Sequence, residues 1–156
     1  LDFSSQHSRD FLLMNRNNLE ALITNGLIEL RLHPVPTGNA LSMYSAEAIA
    51  EAFVTTPDKA WDFNLELTRL AATVDTNKAE DIVALIEETA KEINVTGIDA
   101  ASIQNGTFSG WIISVGDDTR LQKAFTPPLI YIDGKILDVS TVNVNNPDDF
   151  RKAVLK

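Results

Sequence analysis

Cysteine is missing from the 156-residue chain, and that absence removes disulfide bridges, thiolate nucleophiles and Cys-ligated metal centres together. Redox compartment therefore has no signature in cysteine usage. Histidine is nearly as scarce: His7 and His33 are the only two, far apart and outside any ligand-spaced cluster, so no metal site is expected. No uninterrupted apolar run approaches the roughly 18 residues of a membrane span, and no basic-then-apolar leader opens the sequence. The chain starts on Leu1-Asp2-Phe3 with no cap or linker, and residues ahead of it are expected in the natural protein. Basic residues number 13 against 22 acidic ones, a net charge of −9 that opposes nucleic acid or an anionic membrane as partner. The glycines Gly106, Gly110 and Gly116 lack GxGxxG spacing after a strand, so nucleotide binding has no support. What is present is a 44% apolar composition, that of a soluble folded domain.

Apolar spacing of three and four residues, through Phe11, Met14, Asn18, Leu19, Leu22 and Ile23, predicts a helix over 9–25. Asn25-Gly26 stops it. Over 27–33, Ile28, Leu30 and Leu32 alternate with Glu29 and Arg31, the period of a strand, which Pro34 and Pro36 end. A helical block follows. Thr56-Pro57 reads as a cap and first-turn proline ahead of the stripe Trp61, Leu65 and Leu70. Ile82, Leu85, Ile86, Thr89, Ala90 and Ile93 form a second stripe within 78–94. Shorter helices are expected over 99–104 and 109–123, the latter with Trp111, Val115 and Leu121 inward. The period then returns to two: 129–132 and 135–137 flank Asp133-Gly134, a pair that accepts the positive φ angles of a two-residue hairpin turn. Asn146-Pro147-Asp148-Asp149 opens a last helix with a cap, a first-turn proline and acids at the positive end of the dipole.

Two segments carry a resemblance. The run Asp2-Phe3-Ser4-Ser5-Gln6-His7-Ser8-Arg9-Asp10-Phe11 is similar to a segment of the DsbA-like branch of the thioredoxin superfamily: aromatic, polar residue, Cys, two variable residues, Cys, then a helix with an early aromatic. Here Ser5 and Ser8 stand at the cysteine positions. Phe125-Thr126-Pro127-Pro128 with the hairpin behind it resembles that family's cis-proline loop. The resemblance implies an α/β, thioredoxin-like fold with a DsbA-type helical insertion between βαβ and ββα halves. It makes residues 1–156 a single domain, with its core over 1–36 and 124–156 and the insertion over about 40–123. It also implies a cis bond at Thr126-Pro127 facing Ser5 and Ser8, an isomer that lies only about 0.5–1 kcal/mol above trans at proline. An extracytoplasmic location follows by the same resemblance. The chain departs from the pattern at Gln6, where the family usually has proline, at Pro128, where a non-proline commonly stands, and in the strand ahead of the motif, of which only Leu1-Asp2-Phe3 is present.

In that family the first cysteine works as a thiolate, its pKa lowered by the helix N-terminus and by neighbouring donors. A serine hydroxyl is far too weakly acidic for the same use, so no thiol–disulfide exchange is expected. The resemblance makes Ser5, His7 and Ser8 the catalytic positions and Gln6, Thr126 and Pro127 the substrate-binding ones, with no cofactor, and gives an extended peptide or protein segment as the partner. Two alternatives stay open: a Cys-to-Ser variant of an active oxidoreductase, and a glutathione-dependent enzyme. Kappa-class glutathione transferases and the related isomerases carry Ser-x-x-Ser and would make Ser5 the activator of the glutathione thiol. A hydrolytic Ser8–His7 pair, with Asp2 or Asp10 as orienting acid, is disfavoured because neighbours at a helix start point their side chains apart. The adjacent acids Glu87-Glu88, Asp117-Asp118 and Asp148-Asp149 diverge by about 100° on a helix and read as solvated faces.

Overall fold

The computed structural model describes residues 1–121 and 127–156. Seven α-helices are present among them: α1 Gln6–Thr24, α2 Ala40–Thr55, α3 Pro57–Leu70, α4 Ala79–Ile93, α5 Ala100–Asn105, α6 Ser109–Leu121 and α7 Pro147–Val154. The described residues form one sheet, the antiparallel pair β1 Tyr131–Ile132 and β2 Lys135–Ile136, with Tyr131 opposite Ile136 and Ile132 opposite Lys135.

This overturns the expected α/β, thioredoxin-like class: the molecule is mostly helical and its sheet has two strands. The reason lies in residues 28–33. They alternate half-buried and exposed as a strand would, yet residues 28–32 make no backbone hydrogen bond among the described residues. Only the end of the segment is paired, where the Leu1 amino group donates to His33 O at 2.8 Å and Val35 N–H donates to Leu1 O at 2.7 Å. Periodicity describes which side chains face the core, whereas a strand also needs a neighbour for its backbone.

Two cores divide the molecule. The larger joins Leu41, Ile49, Phe63, Leu67, Ile82 and Ile86 of α2, α3 and α4, and Phe3 inserts into it. The smaller places Phe11, Leu12 and Leu19 of α1 against Phe150 of α7, with the two phenyl rings edge to face at 5.2 Å. Ile28, Leu30, Leu32, Ile130 and Leu137 pack against that second core.

Several helical expectations shift in register. α1 starts at Gln6 rather than 9, with Ser5 as its N-cap, and Met14 and Ile23 are exposed while Leu12 and Asn15 are buried. In α3, Leu65 of the expected stripe is buried, Phe63 and Leu67 face the larger core, and Trp61 packs against the second core. Ile112 is fully buried in α6, and Trp111, expected inward, is half exposed. Leu121 falls among residues whose side chains lie outside the described set. The hairpin forms where Asp133-Gly134 points to it, with φ of 50° and 75° at those two residues, and Leu137 N–H extends the ladder to Ile130 O at 2.8 Å. α7 begins as expected, with Asn146 Oδ1 accepting from the N–H groups of Asp148 and Asp149.

Candidate functional site

Ser5 sits in extended conformation at the N-cap of α1, where its hydroxyl has two tasks. Its oxygen accepts from Ser8 N–H at 3.4 Å, and its proton points to Pro127 O at 3.3 Å. One hydroxyl supplies both a lone pair and a donor, so a single side chain joins the start of α1 to the loop ahead of β1, 122 residues away. The bond between Pro127 and Pro128 is cis. The expected cis bond at Thr126-Pro127 involves Thr126, which lies outside the described residues, as do Phe125 and Lys123.

Ser8 lies inside the first turn and is buried, its Oγ accepting from Asp2 N–H at 3.2 Å. Of the two motif serines, therefore, Ser5 caps the helix and Ser8 anchors the chain that leads into it. Gln6 and His7 are exposed. Gln6 donates to Asp10 Oδ1 at 2.6 Å and accepts from Arg9 Nη2 at 2.7 Å, while Arg9 Nη1 donates to Phe3 O at 2.8 Å. His7 makes no hydrogen bond to either serine among the described residues, so the base–hydroxyl contact that hydrolysis requires is not formed.

Asp2 has a role that sequence reasoning missed. Rather than orienting a histidine, its carboxylate is buried and accepts from Ser4 N–H at 2.9 Å and from the hydroxyls of Ser4, Thr37 and Ser42. A buried carboxylate is tolerated when hydrogen bonds replace its water. Of the four donors here, Thr37 and Ser42 fix residues 2–4 to the loop before α2 and to the first turn of α2. The turn Asp2-Phe3-Ser4 was legible, because an Asp commonly bonds the N–H two residues on. Thr37 and Ser42 carry no local signal.

A second buried acid was not anticipated. Glu47 of α2 accepts from Phe108 N–H at 2.9 Å and from Ser109 Oγ at 2.6 Å, placing a carboxylate at the N-terminus of α6, where the helix dipole favours negative charge.

Chemically, the start of α1 offers hydroxyls and exposed amide groups and no thiol. Among the described residues no group of three His, Asp or Glu side chains could hold a metal ion, and no helix is long and apolar enough to cross a membrane. Comparison with protein-family models, with curated proteins and with solved structures finds no match.

Proposed function

We propose that this chain is a redox-inactive relative of the DsbA-like oxidoreductases, extracytoplasmic like them, that holds an extended peptide or protein segment on the surface made by residues 5–8 and the loop at Pro127. The motif segments carry this reading, and the sheet that the resemblance implied takes no part in it. The observation behind it is the contact from Ser5 Oγ to Pro127 O, which brings together the two segments singled out from sequence. Beside that contact, the N–H and C=O of Leu129 have no hydrogen-bond partner among the described residues. An extended peptide can pair with such a free rung.

A glutathione-dependent reading is less well supported. Arg9, the cation in the first turn of α1, already serves Phe3 O and Gln6, and a net charge of −9 opposes an anionic tripeptide. Calorimetry with millimolar glutathione is expected to give no saturable heat.

The peptide-holding reading is tested by placing a photoreactive residue at His7, which is exposed beside the contact, and irradiating with reduced, alkylated insulin B chain. Cross-linking is expected at position 7 and not at exposed Asp58, far along the chain on α3. Equal labelling at both positions would contradict the assignment.

A further inference from the structure

A cleft of about 810 Å³ lies away from the start of α1, within the size range of ligand-holding cavities. Its walls come from Ile23 of α1, Phe53 and Val54 of α2, Trp61 of α3 and Trp111 of α6. Four of these, all but Trp61, are more than a third exposed, an apolar grouping of the kind that marks a contact surface.

Residues 30–34 form the remaining wall. Successive side chains of an extended chain point to opposite faces, so a cavity touching all five successive residues runs along the edge of that segment and not over one face. The backbone shows which edge. His33 O and Val35 N–H turn toward Leu1, and the backbone groups of neighbouring residues in a strand alternate sides, so those of Leu30 and Leu32 turn away from it. Leu1, Asp2 and Phe3 take no part in the cleft, which puts it on the Leu30 and Leu32 side. The N–H and C=O groups of both leucines have no partner among the described residues.

We propose that this cleft takes up a separate extended peptide strand, with apolar side chains at alternate positions and cationic flanks, paired to Leu30 and Leu32. A purely apolar ligand would cover four backbone polar groups without bonding them, and a helix has no free backbone row to offer. An extended strand supplies apolar side chains and hydrogen-bonding groups at the required spacing together. The cationic flanks suit the net charge of −9. The site is distinct from the Pro127 surface, because neither residues 5–8 nor Pro127 line it.

The test uses a short peptide alternating valine and threonine between paired lysines. Saturable binding is expected, with a blue shift of tryptophan emission and slowed amide exchange at Leu30 and Leu32. N-methylation of the peptide along its pairing edge should weaken binding at least tenfold, and so should Trp111→Ser or, as a second variant, Phe53→Ser, each checked for unchanged thermal unfolding. Ser5→Ala should leave this affinity unchanged, which separates the cleft from the Pro127 surface. Equal affinity for the N-methylated peptide, unchanged exchange at Leu30 and Leu32, or sedimentation showing a second copy already covering the cleft would each overturn the proposal.

Discussion

The side chains that organise the start of α1 are short, polar and hydrogen-bonded more often than they are charged. Arg9 and Asp2 are exceptions, and Asp2 is a buried carboxylate surrounded by hydroxyls. Removing it leaves the hydroxyls of Thr37 and Ser42 without their acceptor, and an unsatisfied buried polar group costs about 1–3 kcal/mol. Asp2→Ala is therefore expected to lower unfolding free energy by about 3 kcal/mol in urea, and Asp2→Asn by about 1 kcal/mol because the hydroxyls can turn to meet an amide. Equal loss in the two variants would show that the carboxylate charge, and not the vacant space, dominates. Ser5→Ala removes a cap and should cost about 1 kcal/mol. The capping role of Ser5 was readable from its position ahead of an apolar helix. The role of Asp2 was not, since Thr37 and Ser42 lie 35 and 40 residues away and only folding brings them to it.

At the level of elements, those with a local punctuation mark were legible and those defined by their neighbours were not. Asp133-Gly134 fixes a hairpin through its own φ angles, and Asn146-Pro147 fixes the start of α7. α2 carries a cap in Asn39, whose side chain accepts from Ser42 N–H, but no apolar stripe: Leu41, Ser45, Ala48, Ile49 and Ala52 are buried on several sides of it, and a helix covered nearly all round shows none. In α6 a one-residue error in register turns the face by about 100°, which exchanges Trp111 for Ile112. Ile112→Ala is expected to destabilise by about 2–4 kcal/mol and Trp111→Ala by less than about 1 kcal/mol, measured by chemical denaturation. The reverse order would show that α6 is rotated from its described position. On α3, Arg69 holds the Glu66 carboxyl below its ordinary value of 4.5 through a side-chain hydrogen bond. Because the folded value is the lower one, the stabilisation is complete above pH 4.5 and is lost as pH falls through the folded value. Both side chains are partly exposed, so a double-mutant cycle should give about 0.5 kcal/mol of coupling at neutral pH, and less as pH falls below 4.5.

For the molecule as a whole, the apolar alternation marked the inward side of residues 28–32: Ile28, Leu30 and Leu32 pack with α1 and α7. It could not report that their backbone would stay unpaired, because pairing belongs to two segments and periodicity to one. That difference separates the expected α/β class from the helical molecule observed. The resemblance implied that Pro127 faces Ser5, and Ser5 Oγ donates to Pro127 O; the expected cis bond at Thr126-Pro127 lies outside the described residues, and a cis bond is present at Pro127-Pro128. With no cysteine in the chain, the purified protein should neither reduce insulin nor oxidise a dithiol peptide, and any such activity would point to a contaminant. The central claim, that the start of α1 and the Pro127 loop form one peptide-holding surface, is tested most directly by amide NMR during titration with reduced, alkylated insulin B chain. Saturable shifts are expected together at Gln6, His7, Leu129 and Ile130, and fixed positions for all four under saturating peptide would contradict the claim.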